Sequence, residues 1–132
     1  MWGNYIIMLE TGLVHTSVLS VNDENTALAM GSGDLPVLAT PAMIALMENA
    51  AMLAVAPYLP EGSTTVGGQI SVSHLRPSAI GSIITATAVL EDIDGKKLFF
   101  RVEARQNEIV IGEGTHIRYI VDNEKFLSRL SH

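Results

Sequence analysis

Residues 40–56, TPAMIALMENAAMLAVA, constrain this chain more than any other stretch. Thr40 is suited to cap a helix, and Pro41 suits its first position, where a missing N–H costs nothing. Pro57, followed by Pro60-Glu61-Gly62, marks the end. Met43, Ile44, Leu46, Met47, Leu53 and Val55 cover the whole circumference, and a helix apolar all round is expected to be buried all round. In 132 residues, read here as one domain spanning 1–132, the remaining elements must wrap it. Glu48 is then out of place. A carboxylate taken out of water is costly unless it is paired, hydrogen-bonded or protonated.

The rest of the chain supplies a wrapper of strands. Residues 12–21, GLVHTSVLSV, are β-branched and loosely alternating, and TALAM (26–30) is read as a short second strand. GSGDLP (31–36) is a loop. Residues 63–77 form a strand with Gly67-Gly68 early in it. Residues 81–94 place Ile84, Ala86, Ala88 and Leu90 on one face. Asp94-Gly95 predicts a hairpin turn into 97–106, where Leu98, Phe100, Val102 and Ala104 share a face. Gln106-Asn107 turns the chain into 108–121, and residues 122–130 read as a short helix capped by Asp122 or Asn123. Strands of ten or more residues reach about 30 Å, against about 25 Å for a 17-residue helix. A curved antiparallel sheet wrapped around one long buried helix satisfies this order, an α+β arrangement known as the hotdog fold.

Composition narrows the chemistry. The formal net charge is −6 and the chain has no long basic run, which argues against nucleic acid as a partner. Cysteine is absent, removing disulfides, thiolate metal sites and cysteine nucleophiles, and fitting a cytoplasmic protein. The helix is too short and too polar to span a bilayer comfortably, so no membrane is expected. No signal peptide is expected either; Met8 offers an alternative start, with the first seven residues an appendage. There is no phosphate-binding GxxxxGK[ST] loop, no HExxH metal motif and no GxSxG elbow.

VLATPAMIALMENAAMLAVAPYLPEGSTTVGGQISVSHLRPSAIGSII resembles the hotdog acyl-CoA thioesterases, and within them the fluoroacetyl-CoA thioesterase group. The resemblance runs from about Val37 to the C-terminus. It implies hydrolysis of an acyl-CoA thioester without metal or redox cofactor, in a homodimer or higher oligomer with sites at the subunit interface. It assigns the catalytic threonine, carboxylate and histidine to Thr40, Glu48 and His74, and a glycine near the acyl group to Gly67, with Gly68 beside it. GEGTHIR (112–118) resembles the family's last strand without giving His116 or Arg118 a role. One departure stands out. The fluoroacetyl enzyme carries aromatic lid residues just ahead of the helix, whereas GSGDLP has none, so selectivity for fluoroacetate is not expected.

Each residue also has a plainer reading. Glu48 could be a structural carboxylate held by N–H groups or an ion pair, Thr40 could simply cap the helix, and Gly67-Gly68 could mark a bulge. His74 alone in a strand suggests nothing; its expected pairing with Glu48 does. Asn49, His15 and His132 receive no role. The rival functions are an enoyl-thioester hydratase or dehydratase, for which no Asp–His motif is present, and a non-catalytic acyl-CoA-binding module.

Overall fold

The computed structural model describes residues 9–131; Met8 and His132 lie outside them. Strands β1 (Val14–Ser20), β2 (Ser63–His74), β3 (Ile83–Asp94), β4 (Lys97–Gln106) and β5 (Ile109–Asp122) form one antiparallel sheet in the order β1-β3-β4-β5-β2. Helix α1 (Ala27–Met30) precedes the long α2 (Thr40–Val55), which runs on into a 3-10 turn at Ala56–Tyr58, and α3 (Asn123–Ser128) follows β5.

The core lies between α2 and the sheet. Ile84, Ala86, Ala88 and Leu90 of β3 are buried, as are Leu98, Phe100, Val102 and Ala104 of β4, so the alternation in the sequence placed the inner faces correctly. They meet Met43, Leu46, Met47, Ala50 and Val55 of α2. Each large side chain buried this way stabilises the fold by about 2 kcal/mol. The hairpin at Asp94-Gly95 forms, with Gly95 at φ +63°, and Asp122 caps α3 by accepting from the Lys125 N–H at 3.0 Å.

Three expectations need correction. TALAM is not a strand: Ala27–Met30 is a helical turn, begun by Thr26 Oγ1 accepting from the Ala29 N–H and ended by left-handed Gly31. Its Ala-Leu-Ala-Met sequence favours helix over strand. Thr40 does not cap α2; Ala39 holds the cap position with no side-chain bond, and Thr40 is the first helical residue. Nor is α2 buried all round, since Pro41, Ala45 and Asn49 are exposed along one stripe with Glu48 and Met52 half-buried beside it. A five-stranded sheet curves over one side of a helix and leaves the other open. The run Thr40–Tyr58 has the length and apolarity of a membrane span, but its buried face is the core of this sheet.

The Gly67-Gly68 bulge is present and sets the phase of β2. Gly67 pairs with Arg118 and Gln69 with Ile117, leaving Gly68 as the extra residue. Before it, Thr65 is turned inward; after it, Ile70, Val72 and His74 pair with His116, Gly114 and Gly112 on the inner face. A polar clamp spans the bulge. Arg118 donates from Nε to Thr65 Oγ1 at 2.7 Å, from Nη2 to the Thr65 carbonyl at 2.8 Å and from Nη1 to His116 Nε2 at 3.2 Å. His116 Nδ1 lies 2.7 Å from the Gln69 carbonyl, which can only accept, so this nitrogen carries the proton. The ring is neutral, with Nε2 free to accept from Arg118.

Two measurements follow from this packing. At Gly114 a Cβ would run into the Ser71 carbonyl and lie 2.7 Å from Val72 Cα. We expect Gly114→Ala to cost roughly 3 kcal/mol in chemical denaturation, because the obstacle is backbone; an unchanged midpoint would contradict the β2–β5 packing. Burial holds His116 below the ordinary 6.5, with Arg118 acting the same way and the Gln69 carbonyl and Glu48 opposing. As pH falls below about 6.5, the unfolded chain takes up a proton that the folded chain resists, so stability present above that value is lost toward acid. Thermal midpoints recorded from pH 7.5 to 5 should show this decline, and His116→Gln, which can still accept and donate, should make it shallower, leaving the part that His74, also lowered by burial, contributes.

Candidate active site

The residues singled out in the sequence fall into two groups. The first stands at the start of α2. Thr40 Oγ1 is 2.7 Å from His74 Nδ1, so the threonine hydroxyl is engaged across the cleft by the last residue of β2. His74 Nε2 is buried and has no hydrogen-bond partner among the described residues. Burial lowers the His74 pKa below 6.5, partly opposed by the backbone of Arg76. A neutral ring beside a hydroxyl can accept that hydroxyl's proton, while its other nitrogen calls for an acceptor.

Glu48 belongs to the second group, two turns along α2. Eight residues of helix separate Thr40 from Glu48, about 12 Å along the axis, and β2 carries Gly67 away from His74 by a further seven residues. The expected pairing of His74 with Glu48 is therefore absent within one chain. Glu48 instead reaches the bare Cα of Gly67. A Cβ at Gly67 would stand 2.9 Å from Glu48 Oε2, 3.4 Å from His116 Cε1 and 3.6 Å from Arg118 Nη1. Three polar groups thus converge over a residue without a side chain. At Gly68 a Cβ would run into the ring of Tyr119, on the other side of the strand.

This arrangement answers why a carboxylate sits in an apolar helix. Arg118 is 7% exposed; burial lowers its pKa and the charge of Glu48 opposes that shift. Glu48 faces a shallow depression formed with Ala45, Asn49, Met52, Thr65 and Gly67. Its neighbour Asn49 accepts from Ser17 Oγ at 2.6 Å, tying α2 to the buried hydroxyl on β1.

His116, Arg118 and Thr65 were not assigned from the sequence. A signal existed: His116 and Arg118 stand two apart in an alternating strand, on the parity that faces inward, and two polar residues on a core face need a polar reason.

Comparison with known proteins places the chain. A family profile described as fluoroacetyl-CoA-specific thioesterase matches residues 21–124. The fluoroacetyl-CoA thioesterase of Streptantibioticus cattleyicolor is 39% identical over 94 residues, covering 71% of this chain and 68% of that protein. A solved structure of the fluoroacetyl-CoA thioesterase FlK superposes with a TM-score of 0.86 at 33% identity, over 92% of this chain and 95% of that one. A Thermus thermophilus protein of the thioesterase superfamily gives 0.84 at 27% identity, over 92% and 90%. A hot-dog-like protein from Thermanaerovibrio acidaminovorans, 23% identical over 98% of this chain and 95% of that one, gives 0.84 and speaks for the fold alone. The curved sheet around α2 is the hotdog fold, and the chain belongs to the family of fluoroacetyl-CoA-specific thioesterases.

Proposed function

We propose that this protein acts as a homodimer in which each site is assembled from Thr40 and His74 of one copy and Glu48 and Gly67 of the other. The activity comes with the family: hydrolysis of an acyl-CoA thioester to free acid and coenzyme A. The observation that carries the assembly is the Thr40–His74 pair at 2.7 Å, whose second ring nitrogen is buried without a partner among the described residues. A carboxylate from a second copy supplies the acceptor that nitrogen needs.

The edge of the sheet favours the same arrangement. β2 is a 12-residue edge strand, pairing only with β5 among the described residues, and such an edge invites another strand. Beside it runs the uncovered stripe of α2. Pairing β2 with its own copy about a two-fold axis at Ser71 sets Ile70 opposite Val72 and, with Gly68 as the extra residue of the bulge, His74 opposite the other copy's Gly67, all turned to the inner face. Glu48 then arrives beside His74, and the two open stripes of α2 cover one another.

In the reaction, His74 Nδ1 takes the Thr40 hydroxyl proton as Thr40 Oγ attacks the thioester carbonyl, while Glu48 steadies the imidazolium. The positive end of α2 lies beside Thr40, where the oxyanion develops. The C–S bond breaks, the thiolate leaves with the proton from His74, and water repeats the attack on the acyl-threonine to release the acid. No metal or redox cofactor enters this scheme, and a cytoplasmic setting suits it. A hydratase would need groups placed across a double bond beyond the carbonyl; a binding module would have no use for an engaged Thr40 hydroxyl.

Mixing variants tests the shared site. Thr40→Ala and Glu48→Gln should each lose two or more orders of magnitude in thioester hydrolysis, with thermal midpoints close to wild type, since Arg118 keeps its bonds to Thr65 and His116. Co-refolded in equal amounts, the two should recover roughly a quarter of wild-type activity, because half the dimers carry one intact site of two. No recovery, or a monomer by light scattering at micromolar concentration, defeats the proposal. Selectivity is a separate outcome. Lacking aromatic residues in 31–36, the enzyme should hydrolyse fluoroacetyl-CoA and acetyl-CoA with specificity constants of similar size, and a strong preference for the fluorinated substrate would overturn that reading.

A further inference from the structure

The cleft beside Thr40 and His74 has a volume of about 290 Å³ and is walled mainly by apolar groups, among them Val37, Leu38 and Leu75. Arg76 also lines it, and apart from His74 it is the only ionisable residue that does so among the described residues. Its side chain is exposed and makes no ion pair or hydrogen bond among the described residues. The contrast with other arginines is informative. Arg101 is held by Glu91 and Arg105 by Glu103, Arg118 is spent on Thr65 and His116, and Arg129 lies beside α3, away from this cleft.

The base of this side chain is fixed. The Leu75 and Arg76 N–H groups both donate to the Ile111 carbonyl, at 2.6 and 3.3 Å, and the Ser78 carbonyl accepts from Leu38 at 2.9 Å. Arg76 therefore keeps its place relative to His74, two residues earlier in the chain. The molecule as a whole carries a formal charge of −6, so an anion entering the cleft is opposed by the overall field and needs a local cation. A guanidinium presents a planar fork that fits a carboxylate through two parallel bonds.

We infer that Arg76 holds a carboxylate at the far end of the acyl chain, making CoA thioesters of short dicarboxylic acids the preferred substrates. This rests on the reading above that the thioester carbonyl reacts at Thr40 and His74. With the carbonyl there, Arg76 is within reach of a group a few carbons further along the acyl chain. The phosphates of coenzyme A lie on the other side of the sulfur, beyond the whole pantetheine arm. Ser32, from the loop without aromatic residues, also lines the cleft, so its wall is polar where an apolar lid would exclude a charged end.

The test compares glutaryl with pentanoyl thioesters, matched in chain length, on coenzyme A and on N-acetylcysteamine, which has no phosphate. Wild-type enzyme should favour glutaryl by roughly tenfold or more in kcat/KM on both carriers, as expected when a site pairs a substrate's polar group. Arg76→Gln should abolish that preference through KM and leave pentanoyl hydrolysis and the thermal midpoint unchanged. Arg76→Lys should restore part of it. Equal wild-type rates on glutaryl and pentanoyl would overturn the inference. So would an Arg76→Gln loss that strikes both coenzyme A thioesters and spares both N-acetylcysteamine thioesters, which would place a phosphate there instead. Failure of the wild-type protein to release thiol from any of the four would fault the proposed reaction itself.

Discussion

A guanidinium withdrawn from water is tolerable only if its donors are occupied, and Arg118 meets that condition within its own sheet. Its donors go to Thr65 on one side of the β2 bulge and, through His116, to Gln69 on the other. The bulge is thereby bracketed, and the two halves of β2 are locked to β5 at different phases. The charge of Glu48 opposes the effect of burial on Arg118, which explains an acid in an otherwise apolar helix. Remove the arginine and three separate features lose their common support: the bulge, the tautomer of His116 and the place of the carboxylate.

The same clamp explains why one chain holds its polar groups in two places. Thr40 and Glu48 share a helix whose rise keeps them apart, and His74 and Gly67 share a strand that extends in its own direction. Rigid elements fix those separations. A single copy cannot fold them onto one another without breaking α2 or β2. Under the proposed two-fold, each separation becomes useful, because the distance along one strand is cancelled by the opposite run of its mate.

Much of the fold was legible because two periods dominate the sequence. Strict alternation in β3 and β4 named the inward residues one by one, and Asp94-Gly95 marked the turn between them. The miss at TALAM came from length: a strand and a single helical turn look alike over five residues, and the helical preference of Ala-Leu-Ala-Met decided it. The role of Thr40 was misjudged locally, since a threonine before a proline satisfies the rules for capping, and only the tertiary approach of His74 shows its hydroxyl engaged elsewhere. The grouping of Glu48 with Arg118 was invisible for a similar reason. Some seventy residues separate them in sequence, and only the register of β2 against β5 brings Gly67, and hence Glu48, to Arg118.

Gly68 acts like an inserted letter in a message read two characters at a time. Every side chain of β2 after it changes side, so the orientation of His74 is inherited from a residue six positions away that touches neither Thr40 nor Glu48. Loss of that one glycine would leave composition, hydrophobicity and nearly all identities intact, yet it would turn Ile70, Val72 and His74 outward together. For relatives of this chain, a gap of one residue in this segment is therefore of a different kind from a substitution. Wherever in residues 66–69 an alignment places such a gap, its cost in score is small, yet the deletion reverses which face of the strand carries the chemistry.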